Sequence, residues 1–410
     1  MKFIYIALLL ILSFNISGEI KYIDSLKNEL FNKTDKESSF DITLEIATYM
    51  ASENPDSALL FLIEVEKIAL KIQNQNKLVK YYYLIAECYF YLNDYQSAIP
   101  FYQKSNRIAQ KIDDKLQVSE TFHCMGLCYF YTGYYEKALY NNHEALLIAE
   151  ELEIDQRIAN SYQNIGLVYS EIKSYSKAQE YYEQAIEINE KINNNEKIAA
   201  LYQNIGVIHH NKKHYDEAIK FYNKSLEIYE KLKDKLGIAS SYYNIGLIYE
   251  YLNDNRAIDN YQHAKIIFEE INYVRGIIYT LNSLSNYSKI KGFYNEAINY
   301  LKQSIALAKK YHITETLVES YKEASDIYSL VNKHKESLVF YKKYTHLNDS
   351  LYNANNVRQI LELEMKYQSE KFENKLQKEK FKNRIYIGGF VIVLILFILY
   401  LIVFIIRKRL

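Results

Sequence analysis

Thiols, imidazoles and amides are the side chains here whose spacing could do chemistry. Cys124 and Cys128 stand one helical turn apart, and Cys88 precedes Cys128 by forty residues. A metal centre or redox pair would need further ligands at matching spacing, and the sequence offers none. The three thiols are therefore expected as small buried side chains, with a disulfide left open for an oxidising compartment. His209, His210 and His214 cluster without an H-E-x-x-H pattern, so no metal is assigned to them. There is no phosphate-cradling glycine loop, no G-x-S-x-G and no kinase-like signature. No catalytic residue, metal ligand or cofactor is nominated, and the chain is expected not to be an enzyme.

Composition narrows the class further. The 50 basic and 50 acidic residues cancel, leaving no field to attract nucleic acid. Two prolines and 11 glycines supply little punctuation for hairpins, which favours an almost all-helical protein. The 43 tyrosines, with no tryptophan, read as packing and groove-lining residues.

The elements that must position these side chains come from a repeat. Gly126, Gly166, Gly206 and Gly246 lie forty apart, as do Ala58, Ala98, Ala138, Ala178 and Ala218. With Gly166 as position 8, Tyr162, Ile165 and Tyr169 take positions 4, 7 and 11, and Ala178, Tyr182 and Ala185 take 20, 24 and 27. The first four make the apolar stripe of an amphipathic helix. Glycine at 8 and alanine at 20 carry so little side chain that two helix backbones can approach there. The register extends to eight units, with one residue deleted near Arg256. Asn54 and Pro55 read as an N-cap and first-turn proline, and Pro100 as the site of a kink.

This pattern resembles the tetratricopeptide repeat (TPR), a helix-turn-helix unit with W-x2-L-G-x2-Y, A-x3-F and A marks. Tyrosine stands for the tryptophan, and the proline expected near position 32 is missing. The forty-residue period exceeds the family's usual length of about 34, which implies longer second helices, as in its long-repeat branch. The resemblance implies an all-α superhelical solenoid of about eight repeats over 39–357, after a lead-in at 19–38. It also implies that first helices line a concave surface through positions 2, 5, 6 and 9. Tyr83, Glu87, His123, Gln163, Asn164, Gln203, Asn204, Tyr243, Asn244 and Asn282 are the candidate residues of that groove. Asn164, Asn204 and Asn244 all take position 6. Their amides can pair with an extended peptide backbone, or can bond within the stack, and the sequence leaves both uses open. The family's clamp for C-terminal carboxylates is missing, since Lys80 is the one basic residue at position 2.

Both ends of the chain speak of a membrane. Lys2, an apolar run over 3–14 and the small residues Ser17 and Gly18 predict a signal peptide at 1–18. Residues 358–384 form a charged juxtamembrane helix, either a short coiled coil that would make a homodimer or a single solvated helix. Residues 385–406 hold no charge over 22 positions and predict one transmembrane helix. Arg407, Lys408 and Arg409 then place the 407–410 tail in the cytoplasm. The order of parts resembles the sensory half of bacterial TPR-containing membrane sensors. Asn348, Asp349, Ser350 and Leu351, then 362–367 and 370–371, carry that likeness. In that family the span leads to a cytoplasmic histidine kinase, cyclase or DNA-binding domain, none of which is present before Leu410. The expectation is a single-pass protein of a bacterial inner membrane, largely periplasmic, that binds a protein or peptide segment in signal transduction. A truncated sensor kinase or transcriptional regulator, and an envelope-assembly scaffold, are the alternatives.

Overall fold

The structure, a computed structural model, describes residues 18–32, 36–69, 71 and 74–348. The segments read as signal peptide (apart from Gly18), juxtamembrane helix, transmembrane helix and tail lie outside these residues. Among the described residues no helix is long and apolar enough to cross a membrane.

The described residues are helical throughout and contain no strand. They form two compact units, one ending at Ile228 and the other beginning at Tyr229. The first opens with α1 (Gly18–Asn32), α2 (Lys36–Met50), α3 (Pro55–Glu64) and the short α4 (Glu66–Ala69). Regular pairs follow: α5 (Gln75–Tyr91) with α6 (Tyr95–Lys111), α7 (Lys115–Tyr131) with α8 (Tyr135–Glu151), and α9 (Asp155–Glu171) with α10 (Tyr175–Lys191). α11 (Asn195–Asn211) packs on α12 (Tyr215–Leu232), within which the division falls. The second unit pairs α13 (Lys235–Tyr251) with α14 (Arg256–Glu270), α15 (Val274–Ile290) with α16 (Tyr294–Lys310), and α17 (Thr314–Leu330) with α18 (His334–Leu347). With α2 packed on α3, eight helix pairs are present among the described residues, as the register required.

The extra length of the repeat is not confined to second helices. From α5 to α11 every helix has 17 residues, first and second alike. Both are joined by the same three-residue turn, so the backbone repeats every twenty residues. Asn93, Asp113, Gly133, Glu153, Lys173, Asn193 and Lys213 all have positive φ, twenty apart. That left-handed residue lets the next N–H reach back and close the helix end, as Asp114 N–H does to the Ala109 carbonyl at 3.0 Å. The residue after it often caps the next helix: Asp94 and Asp114 accept from the Ser97 and Gln117 amides. Asn54 and Pro55 cap and open α3 as expected. Pro100 sits inside α6, which continues through it to Lys111.

Glycine at position 8 makes room chiefly for a ring, rather than for the alanine opposite. A methyl group built on Gly166 would lie 2.6 Å from Cε1 of Tyr182, and one on Gly206 would lie 2.5 Å from Cε1 of Tyr222. Gly246 meets Tyr261 at 2.7 Å in the same way, across the pair shortened by the deletion near Arg256. All three tyrosines are fully buried, so the position-24 ring is the centre of each pair's core. Position 11 stacks on position 23 beside it, in Tyr89–Phe101, Tyr169–Tyr181 and Tyr328–Phe340 with ring centroids 5.4–5.6 Å apart.

Candidate functional site

First helices carry the candidate residues, and each unit presents its own set. In the first unit these side chains bond mainly to one another. On α5 the Tyr83 hydroxyl donates to Glu87 at 3.1 Å and to Glu120 on α7 at 3.4 Å. Glu120 also receives the guanidinium of Arg157 from α9, with both side chains less than a third exposed. Cys124 Sγ lies 3.8 Å from the Tyr83 hydroxyl and 3.9 Å from Glu120. Burial raises the pKa values of Tyr83, Glu87 and Cys124 above their ordinary ranges. One turn along, the Asn164 amide reaches His123 Nδ1 at 3.2 Å and Asn142 Oδ1 at 3.4 Å. Burial lowers the pKa of His123, with Arg157 and Lys197 adding to the effect against Glu120.

Asn164 is therefore buried and used inside the stack, whereas Asn204 on α11 is not. Asn204 is half-buried and its amide makes no hydrogen bond among the described residues. Gln163 is half-buried and likewise unbonded, while Gln203 is engaged.

In the second unit the face is aromatic. Tyr243 and Asn244 on α13 border a concavity of about 280 Å³, completed by Ser240, Phe268, Tyr273, Gly276 and Tyr279. The Tyr243 hydroxyl meets Ser283 Oγ at 3.2 Å. Asn244 is half-buried with a free amide. On α15, Asn282 Oδ1 accepts from Ser304 at 2.6 Å and Ser320 at 3.1 Å, and its Nδ2 is buried without a partner.

Residues beyond the sequence candidates complete both faces. Arg157 and Lys197 take position −1, one turn before position 3, and extending the first-helix stripe by that turn would have found them. Ser240 and Tyr279 sit at position 2. Phe268 and Tyr273 come from a second helix and its turn, which a first-helix pattern cannot predict. Of the thiols, Cys88, Cys124 and Cys128 are free and buried. His209 stacks on Phe221 at 5.2 Å with both ring nitrogens buried and unpaired, and no metal-binding cluster occurs among the described residues.

The geometry matches a known repeat by sequence as well. Tetratricopeptide repeat models match residues 79–112, 117–191 and 197–270. These segments are tetratricopeptide repeats. No curated protein matches the chain in sequence. Among solved structures, the apo quorum sensor NprR from B. thuringiensis aligns with a TM-score of 0.59 at 18% identity, covering 79% of this chain and 91% of its own. Aspartyl phosphate phosphatase F from Bacillus subtilis aligns at 0.57 and 14%, covering 82% and 96%. The Rap conjugation gene regulator of plasmid pLS20, solved with the Phr* peptide, aligns at 0.50 and 14%, covering 81% and 97%. At these identities the likeness is one of fold.

Proposed function

We propose that the TPR part of this chain binds an extended peptide or protein segment on its first-helix faces. The observations that carry it are Asn204 in the first unit and Asn244 in the second, half-buried amides that make no hydrogen bond among the described residues. A half-buried amide that the protein leaves unbonded is held by water, and a peptide backbone, which offers both donor and acceptor, can take the water's place. The tetratricopeptide fold of the Rap regulator, which holds the Phr* peptide, supports the same use. The signal-like 1–18 segment and the apolar 385–406 segment support an extracytoplasmic module on a single span in a bacterial inner membrane. In this role the chain is a non-enzymatic sensor whose bound state passes through residues 358–384, in a homodimer or to a separate partner.

Panning a random-peptide phage library on the full-length chain tests the binding. Wild-type protein should enrich clones, and the double variant Asn204→Ala, Asn244→Ala should retain about a tenth or less with unchanged helicity. Equal retention by the variant sends the ligand elsewhere. For the topology, a fluorescent protein that folds only in the cytoplasm, fused after Leu410, should fluoresce; a dark, intact fusion overturns the orientation.

A further inference from the structure

The aromatic concavity of the second unit suits one kind of side chain. Several rings elsewhere in the protein lie under its own cations. Lys104 lies over Phe101, Lys137 over Tyr129, Lys177 over Tyr169, Lys224 over Phe221 and Lys343 over Phe340, each nitrogen within 4.9–5.4 Å of the ring centroid. Among the described residues no cation lies over the four rings at the concavity, Tyr243, Phe268, Tyr273 and Tyr279. No basic residue lines the concavity, and neighbouring Arg275 is not part of its wall. Tyr273 and Tyr279 are exposed residues, at 41% and 38%.

Two features make this vacancy specific. Gly276 admits the rings: a methyl group there would lie 2.6 Å from Tyr273 and 2.7 Å from Phe268. In the first unit the same register position carries Arg157 and Lys197. Negative charge also stands close by without a mate. Glu319 on α17 follows Ser240 and Tyr279 in the position-2 row, is exposed, and makes no hydrogen bond or ion pair among the described residues. Burial raises the pKa of Tyr243, and the negative charges of Glu250 and Glu319 add to the effect. The nearest lysine on α15, Lys289, is already paired with Glu323 at 2.7 Å.

We infer that this concavity receives a basic side chain, lysine or arginine, of the bound peptide segment. The faces of the tyrosine rings attract the cation through their quadrupoles, and Glu319, next in the position-2 row after Tyr279, supplies the opposite charge. Asn244 at the edge is free to hold the backbone beside it. The inference rests on the proposed peptide binding and names the segment's chemistry.

Fluorescein-labelled pentapeptides with alanine at four positions and arginine, lysine, leucine or phenylalanine at the centre are the probes, used with the full-length chain. Arginine and lysine peptides should bind at least about tenfold tighter than leucine and phenylalanine peptides. Glu319→Gln, a surface change, should remove most of that preference without weakening the neutral peptides. Tyr279→Ala should weaken the basic peptides, with helicity checked by circular dichroism. Binding without a basic preference, or a preference that Glu319→Gln leaves intact, overturns the inference while the peptide-binding proposal stands. No binding by any pentapeptide, together with no enrichment from the random library, overturns both.

Discussion

The two units share one stacking frame and carry different faces on it. In each, glycine at position 8 lies under a buried tyrosine at position 24, as in Gly206 with Tyr222 and Gly246 with Tyr261. On the exposed side of the first helices the units part. The first ties Tyr83, Glu87, Glu120 and Arg157 into a polar network and buries Asn164 between His123 and Asn142. The second replaces the position −1 cations by Gly237 and Gly276, lets rings close over them, and leaves Asn244 free. A small residue at one register position thus changes a charged face into an aromatic one without altering the stack. The network of the first unit stabilises its own helices. What a ligand would meet is Asn204 in the first unit, and Asn244 with the open rings in the second.

Disturbing the shared frame should have the largest effect and should not distinguish the units. Gly206→Leu and Gly246→Leu each force a side chain into a buried ring, with an expected loss of about 3 kcal/mol in urea unfolding. A large loss at one and none at the other would mean the frames differ. Next, Arg157→Ala leaves Glu120 partly buried without its cation and should cost about 2 kcal/mol. The sharpest contrast lies in the asparagine row. Asn164→Ala should cost about 1–2 kcal/mol, because it strands His123 and Asn142. Asn204→Ala and Asn244→Ala should each change stability by less than about 0.5 kcal/mol while reducing peptide capture. Equal stability costs at all three positions would erase the distinction drawn here.

A smaller effect should appear with pH. The pKa of His123 is lowered in the fold from an ordinary value of 6.5, so below that value the unfolded chain binds more protons than the folded one. Its contribution is therefore intact above pH 6.5 and is lost as pH falls toward the folded pKa. Glu87 acts in the opposite sense: its raised pKa means that its ionisation opposes folding, and acidification through that pKa relieves the cost. Between about pH 7.5 and 5.5 the urea midpoint of His123→Gln should fall less than that of the wild type. Identical slopes would exclude His123 as a contributor. His209 and His210, also lowered by burial, leave a residual slope in the variant.

Much of the frame was legible because it depends on short-range periodicity. Tyr162, Ile165, Gly166 and Tyr169 form a stripe that only a helix can bury on one side, and its recurrence every forty residues identifies the stacked pairs. The twenty-residue backbone period is not legible in the sequence, because its left-handed turn residue is filled by Asn, Asp, Glu, Lys, His or Gly. The equal lengths of first and second helices are hidden for the same reason.

The candidate face was legible only by position. Sequence determined that Asn164, Asn204 and Asn244 occupy equivalent places on their helices, since register along a helix is local. Tertiary structure alone decided which of them has a partner. Asn164 meets His123 from the preceding first helix and Asn142 from the second helix, 41 and 22 residues away. Asn204 and Asn244 meet no such neighbours. A hydrogen bond needs two groups within about 3 Å. Whether a distant residue comes that close depends on how whole helices pack, and no local pattern records it.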